Sequence, residues 1–186
     1  MSSIPSLRPT LWRTCRVLAN RTRLKICALL LQQPGQTVSA IAERLKLPLP
    51  AASQYLRALE ARGLLAVRRK GRNVVYRLSP ATTQTSSAEL VTALRRVFRE
   101  EGKPLETIFK TATAFTHPRR IEIFNALRKQ NQSPVQLCTR TGISVPAMYR
   151  HLRKLKARGF VNYQEGRWVA TPRSDALGRE LTRLAG

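Results

Sequence analysis

Pro50-Ala51-Ala52-Ser53-Gln54-Tyr55-Leu56-Arg57-Ala58-Leu59-Glu60-Ala61-Arg62-Gly63 and Pro146-Ala147-Met148-Tyr149-Arg150-His151-Leu152-Arg153-Lys154-Leu155-Lys156-Ala157-Arg158-Gly159 are near copies of each other. At an offset of 96 residues they match at eight of fourteen positions: Pro, Ala, Leu, Arg, Leu, Ala, Arg and Gly. Each opens with a proline suited to a first helical turn and closes on a glycine suited to a helix stop. Each carries one narrow apolar stripe at helical spacing, Ala52, Leu56 and Leu59 in the first, Met148, Leu152 and Leu155 in the second. The opposite faces carry Ser53, Gln54 and Arg57, or Tyr149, Arg150 and Arg153. A helix of this layout packs on one side and offers the other to a polyanion.

Charge names the polyanion. Among 186 residues, 34 Lys and Arg stand against 10 acids, for a formal net charge of +24. The excess is spread over the chain and not confined to a tail, which points to nucleic acid. A membrane surface would call for a basic amphipathic helix with exposed aromatics, or a lipid anchor, and neither is evident. No apolar run approaches membrane-spanning length and the start lacks a signal-peptide core, so a cytoplasmic protein is expected. Three scattered cysteines, Cys15, Cys27 and Cys138, imply no disulfide framework. The near copies are therefore read as two DNA recognition helices.

The surrounding chain repeats one order of elements. Residues 1–9 read as loose. Thr10 caps a helix through Trp12, Cys15 and Leu18, and Asn20 caps a second, Arg21 to Gln32, through Leu24, Ala28 and Leu31. Pro34-Gly35 is a turn. A short helix from Thr37 to Leu45 and the bend at Lys46-Leu47-Pro48-Leu49 lead into the first recognition helix, as a helix-turn-helix. Beyond Gly63 the period becomes extended: Leu64 to Val67 and Val74 to Leu78 form a hairpin, a wing whose tip holds Arg68, Arg69, Lys70 and Arg72. A polar linker spans 80–87, and Ser86-Ser87-Ala88-Glu89 has capping-box spacing for a helix through Leu90, Leu94, Val97 and Phe98. Gly102-Lys103-Pro104 marks the boundary between domains at 10–102 and 103–186.

The second domain repeats the first. Phe109, Ala112 and Phe115 align with Trp12, Cys15 and Leu18; His117-Pro118 starts the next helix, through Ile121, Phe124 and Leu127. Ser133 to Thr141 and the turn at Gly142-Ile143-Ser144 precede the second recognition helix. A shorter, nearly neutral wing joins Phe160–Tyr163 to Trp168–Ala170. Ser174 and Asp175 cap a last helix along Leu177, Leu181 and Leu184. The expected fold class is mainly α with small β-hairpins (α+β), two tandem winged helix-turn-helix domains.

Leu18-Ala19-Asn20-Arg21-Thr22-Arg23-Leu24-Lys25-Ile26, Val38 to Leu45, Ser53 to Leu59 and the arginine-rich wing ending in Tyr76-Arg77-Leu78 resemble the ArsR-type winged helix-turn-helix transcriptional regulators over about residues 10–100. The second half resembles them more weakly, through His117 to Ile121, Gln136-Leu137-Cys138, Tyr149 to Leu152 and Glu165 to Val169. The family pairs as homodimers through its first and last helices, and the resemblance implies the same pairing within one chain, an intrachain pseudo-dimer. A monomer is then expected, further self-association staying open. Departures from the family are plain: Pro48 and Leu49 replace the usual serine cap and polar residue, Val145 follows Ser144, and Arg21 replaces a proline. The family's paired cysteines on the third helix are missing from Thr37 to Glu43, and its histidine-containing site is missing from Glu89 to Glu101. Neither metal nor cofactor is expected; Cys138 reads as a small core residue, His117 as a helix-start residue and His151 as a DNA-facing donor.

Candidate DNA-contacting residues are Leu49, Ala51, Ser53, Gln54, Arg57, Arg68, Arg69, Lys70 and Arg72 in the first half. In the second they are Val145, Ala147, Tyr149, Arg150, Arg153 and Arg167. Leu49 and Val145 can touch a thymine methyl. Absence of nucleophile–base spacing, phosphate-cradling loop or HExxH argues against an enzyme. The leading expectation is a sequence-specific double-stranded DNA-binding transcriptional regulator, acting as a repressor that blocks a promoter. The alternatives are an architectural or replication-initiator-type DNA binder and a winged-helix protein-interaction module.

Overall fold

The computed structural model describes residues 10–80, 85–100 and 102–186. The expected loose start and the middle of the 80–87 linker lie outside the described residues. The first unit runs α1 (Leu11–Leu18), α2 (Arg21–Gln32), β1 (Gln36–Thr37), α3 (Val38–Arg44), α4 (Leu49–Glu60), β2 (Leu65–Lys70), β3 (Asn73–Leu78) and α5 (Ser86–Arg99). The second runs α6 (Pro104–Ala112), a 3-10 turn (Thr113–Phe115), α7 (Pro118–Lys129), α8 (Pro134–Thr141), α9 (Val145–Ala157), β4 (Val161–Gln164), β5 (Arg167–Ala170) and α10 (Ala176–Ala185). It is a predominantly helical chain with small antiparallel hairpins, one winged helix-turn-helix unit built twice.

Caps set most helix starts. The Asn20 side chain accepts from the Arg23 N–H at 2.9 Å. The Thr37 hydroxyl accepts from Ala40, and the Asp175 carboxylate from Gly178. Ser133 and Gln136 form a reciprocal capping box. Two expectations change. Thr10 precedes α1 but its side chain makes no capping bond; its carbonyl accepts from Arg13 and Thr14 instead. Before α5 the cap is Thr85, whose hydroxyl accepts from the Ala88 N–H, so the expected Ser86–Glu89 box does not form.

In α2 the buried set is Leu24, Ile26, Cys27 and Leu30, not the expected stripe of Leu24, Ala28 and Leu31. The helix is covered from several directions, by α1, α4 and β3 of its own unit and by α6 of the other, so a single face does not describe it. The wing also differs. Its strands run to Lys70 and from Asn73, in register from Leu65↔Leu78 to Lys70↔Asn73, so Arg68, Arg69 and Lys70 are strand residues and the turn is Gly71-Arg72 alone. β1 adds a short third strand, Gln36 opposite Tyr76. Its counterpart is a lone bridge between Gln132 and Trp168.

The two units share one continuous core. In the second, Phe115, Phe124 and Phe160 form a ring cluster with centroids 4.7–5.8 Å apart. Between the units α1 lies against α6 and its 3-10 turn, and α5 lies against α6 and α10. Leu90, Val91, Leu94 and Val97 of α5 are buried there, as are Leu177 and Leu181 of α10. Each such side chain contributes about 1.5–3 kcal/mol by leaving water. The joint therefore rests on its apolar stripes, and the exposed pairs across it, Arg21–Glu106 and Arg183–Glu89, chiefly orient the units. This is the pseudo-dimer within one chain.

Candidate nucleic-acid interface

Each unit presents its recognition helix the same way. α3 turns into α4 through Lys46, at a left-handed φ of 51°; α8 turns into α9 through Gly142, at φ 64°. The glycine takes that conformation freely and the lysine does not, so the first turn carries local strain that the second avoids. The predicted stripes Ala52, Leu56, Leu59 and Met148, Leu152, Leu155 are buried. Neither Pro48 nor Ser144 caps its helix through a side chain, and a proline follows at the second helical position of each.

That packing leaves Leu49, Gln54 and Arg57 of α4 exposed, with Ala51 and Ser53 half-buried. Arg57 donates to the Ser53 hydroxyl at 3.1 Å, which draws the guanidinium along the helix surface. On α9, Val145, Tyr149, Arg150 and Arg153 are exposed and Ala147 is half-buried. Thus none of the expected helix residues of either unit is buried in the core.

The wing residues divide. Directly opposed residues share a sheet face. Arg68 faces Val75, Lys70 faces Asn73, and Arg77 lies opposite Ala66, so Arg68, Lys70 and Arg77 share one face. Arg69 points to the other, beside the exposed Val67 and Val74. Arg72 sits in the turn. Sequence reading missed Arg77, although the alternation Val75-Tyr76-Arg77 carried the signal, with Tyr76 buried between two outward residues. In the second wing Arg167 is exposed opposite Gln164, and Glu165 and Gly166 make the turn.

Charge is therefore placed differently in the two units. In the first it lies on the wing, in Arg68, Arg69, Lys70, Arg72 and Arg77, while α4 has Arg57 balanced by Glu60. In the second it lies on the helix, in Arg150, Arg153, Lys154 and Lys156, while the wing has Arg167 balanced by Glu165.

His151 does not stand free as expected of a DNA-facing donor. Its ring lies 4.9 Å from that of His117, and it is half-buried. Burial holds its pKa down at about 4, assisted by His117, Arg120, Arg150 and Arg119. His117 opens α7 as expected, Nδ1 accepting from the Arg119 N–H at 3.1 Å; its pKa is also lowered, by burial first and then by Arg120, Arg119 and Arg16.

A contact repeated in both units, invisible in the sequence, closes the corner before α2 and the corner before α7. Arg23 donates to the carbonyls of Val17 (2.6 Å) and Arg16 (3.1 Å). At the equivalent place Arg120 donates to Ala114 (2.5 Å) and Thr113 (3.3 Å). Each arginine satisfies carbonyls at the end of the preceding helix, where the helix dipole also favours a cation.

Cys15 and Cys27 are fully buried, which pushes both thiols up to about 12. Cys138 is half-buried against the core. Among the described residues no three His, Cys, Asp or Glu side chains gather as metal ligands. Nor is any helix among them long and apolar enough to cross a membrane.

Comparison with known proteins follows the same division. Residues 18–68 match the family profile described as a helix-turn-helix domain, and residues 117–163 match that of the bacterial regulatory proteins of the arsR family. Among solved structures, the chain is similar to reduced HlyU from Vibrio cholerae N16961. The two are 30% identical with a TM-score of 0.36, over 46% of this chain and 84% of that one. The search of curated proteins finds no match.

Proposed function

We propose that this chain, which belongs to the ArsR-type winged helix-turn-helix regulators and carries their DNA-binding unit twice, is a repressor in which one chain covers a whole operator. The observation that carries the reading is the repeated recognition surface on a joined pair. α4 and α9 each bury one stripe and leave their polar faces exposed, while α1, α5, α6 and α10 are occupied with one another. With the units taken as 10–102 and 103–186, joining them in one chain makes their docking intramolecular, at high effective concentration.

In this reading the exposed faces of α4 and α9 enter successive major grooves, about 34 Å apart. Gln54, Arg57, Arg150 and Arg153 reach base edges or phosphates, with Leu49, Ala51, Ser53, Val145, Ala147 and Tyr149 lining the same approach. The first wing lays Arg68, Lys70 and Arg77 along the backbone, with Arg69 and Arg72 flanking; Arg167 makes the lighter contact of the second. Affinity should fall roughly 10³-fold or more between 50 and 200 mM salt as counterion release weakens.

Selection of bound duplexes from a random pool supplies the operator, and transcription in vitro from a promoter bearing it tests the role. The expected result is an imperfect palindrome and loss of transcript as protein is added. Uniform binding to any duplex would favour an architectural role instead, and stimulated transcription would remove the repressor.

A further inference from the structure

Leu49 is 54% exposed and Val145 is 53% exposed, and both are the first residue of a recognition helix. They occupy equivalent places, 96 residues apart. Neither joins the hydrophobic core, so packing does not explain an aliphatic side chain at either place. Around them the two helices agree and disagree in a pattern. Pro50 and Pro146, Ala51 and Ala147, and Arg57 and Arg153 are the same in both units; Ser53 and Tyr149, Gln54 and Arg150, and Tyr55 and His151 have diverged. The shared solvent-facing elements are thus an apolar tip and an arginine two turns on.

An apolar side chain gains nothing from a phosphate and makes no hydrogen bond to a base. On the major-groove edge of the four base pairs, the apolar group is the C5 methyl of thymine. Resting on the reading that α4 and α9 enter the major groove, we propose that Leu49 and Val145 are specificity residues for thymine. Each buries one C5 methyl at an equivalent place in its half-site. The half-sites then share that thymine and differ where Ser53 and Gln54 face one and Tyr149 and Arg150 the other.

The test uses the full chain and a duplex selected by it from a random pool, prepared with thymine and again with deoxyuridine in every thymine position. Uracil keeps the hydrogen-bonding edge and the phosphate charge and removes only the methyl. Transferring a methyl-sized group out of water is worth about fourfold in affinity per half-site, about fifteenfold for two. The thymine duplex should bind tighter by about that factor, and in the doubly substituted Leu49→Ala, Val145→Ala protein the two duplexes should bind alike. Both positions are exposed, so the variant keeps its fold, which far-ultraviolet circular dichroism verifies. Equal binding of the two duplexes by the native chain would overturn the thymine proposal while leaving DNA recognition intact. A preference that survives in the variant would assign the effect to DNA shape and overturn it equally. Failure of the pool to enrich any duplex would remove the major-groove reading, and this proposal with it.

Discussion

Arg21 of the first unit holds Glu106 of the second through two parallel hydrogen bonds, Nε to Oε1 at 2.8 Å and Nη2 to Oε2 at 3.0 Å. The same guanidinium carbon lies 4.4 Å from the Phe109 ring centroid. The residue equivalent to Arg21 in the second unit is Pro118, so the contact has no pseudo-symmetric mate. The joint distinguishes first unit from second. By the same alignment Glu106 corresponds to Pro9, so two first units would lack the acid for this pair.

This pair is tested by charge reversal. The hydrogen bonds lower the pKa of Glu106 and raise that of Arg21. Arg21→Glu should lower Tm more than Arg21→Ala, and Arg21→Glu with Glu106→Arg should recover most of the loss. Both effects should shrink as salt is raised, because the pair is exposed. An unchanged Tm in Arg21→Glu would remove the pair from the joint.

The arginines that close the α1–α2 and 3-10–α7 corners act within their units. Arg23→Ala and Arg120→Ala each withdraw a cation from two carbonyls, and bonds to charged groups are worth about 1.5–3 kcal/mol. Chemical denaturation of each variant should show a loss of about 1–2 kcal/mol after water replaces part of the contact. A loss within error would show that the carbonyls are equally well solvated.

Much of this was legible in the sequence. The two recognition helices, their buried stripes, the Asn20 and His117 caps and the repeated order follow from local periodicity and capping chemistry. What was not legible depends on long-range packing. The turning of α2 follows from its being covered by α6 of the other unit, and no single-helix stripe encodes that. The Arg23 and Arg120 contacts reach back across a helix corner, and Thr85 took the cap from Ser86. The wing charges were identified, but reading them as a loop concealed that the strands place Arg69 on one face and Arg68, Lys70 and Arg77 on the other.

That division yields a prediction for the salt dependence of DNA binding. Each phosphate contact removed should lower the slope of log affinity against log salt by about 1. Arg68→Ala, Lys70→Ala and Arg77→Ala should behave alike, and Arg69→Ala should differ from all three. Equal slopes for all four variants would mean that the ribbon does not present one face to the duplex.

The histidine pair makes stability depend on mild acid. His151 has a folded pKa of about 4 against an ordinary value of 6.5, so between those values the unfolded chain binds the extra proton. Its contribution is complete above about pH 6.5 and is lost as pH falls toward 4. Tm should drop between pH 6.5 and 5, where the carboxylates are still ionised, and His151→Gln should flatten that part of the profile. An identical profile in the variant would contradict the burial-driven shift.

Mass photometry of the protein bound to its minimal duplex counts the chains on one operator. The expected complex holds a single 186-residue chain, with no concentration-dependent step to a second. Two chains on the minimal site, with no binding by one, would contradict it and make each chain half of a conventional dimer.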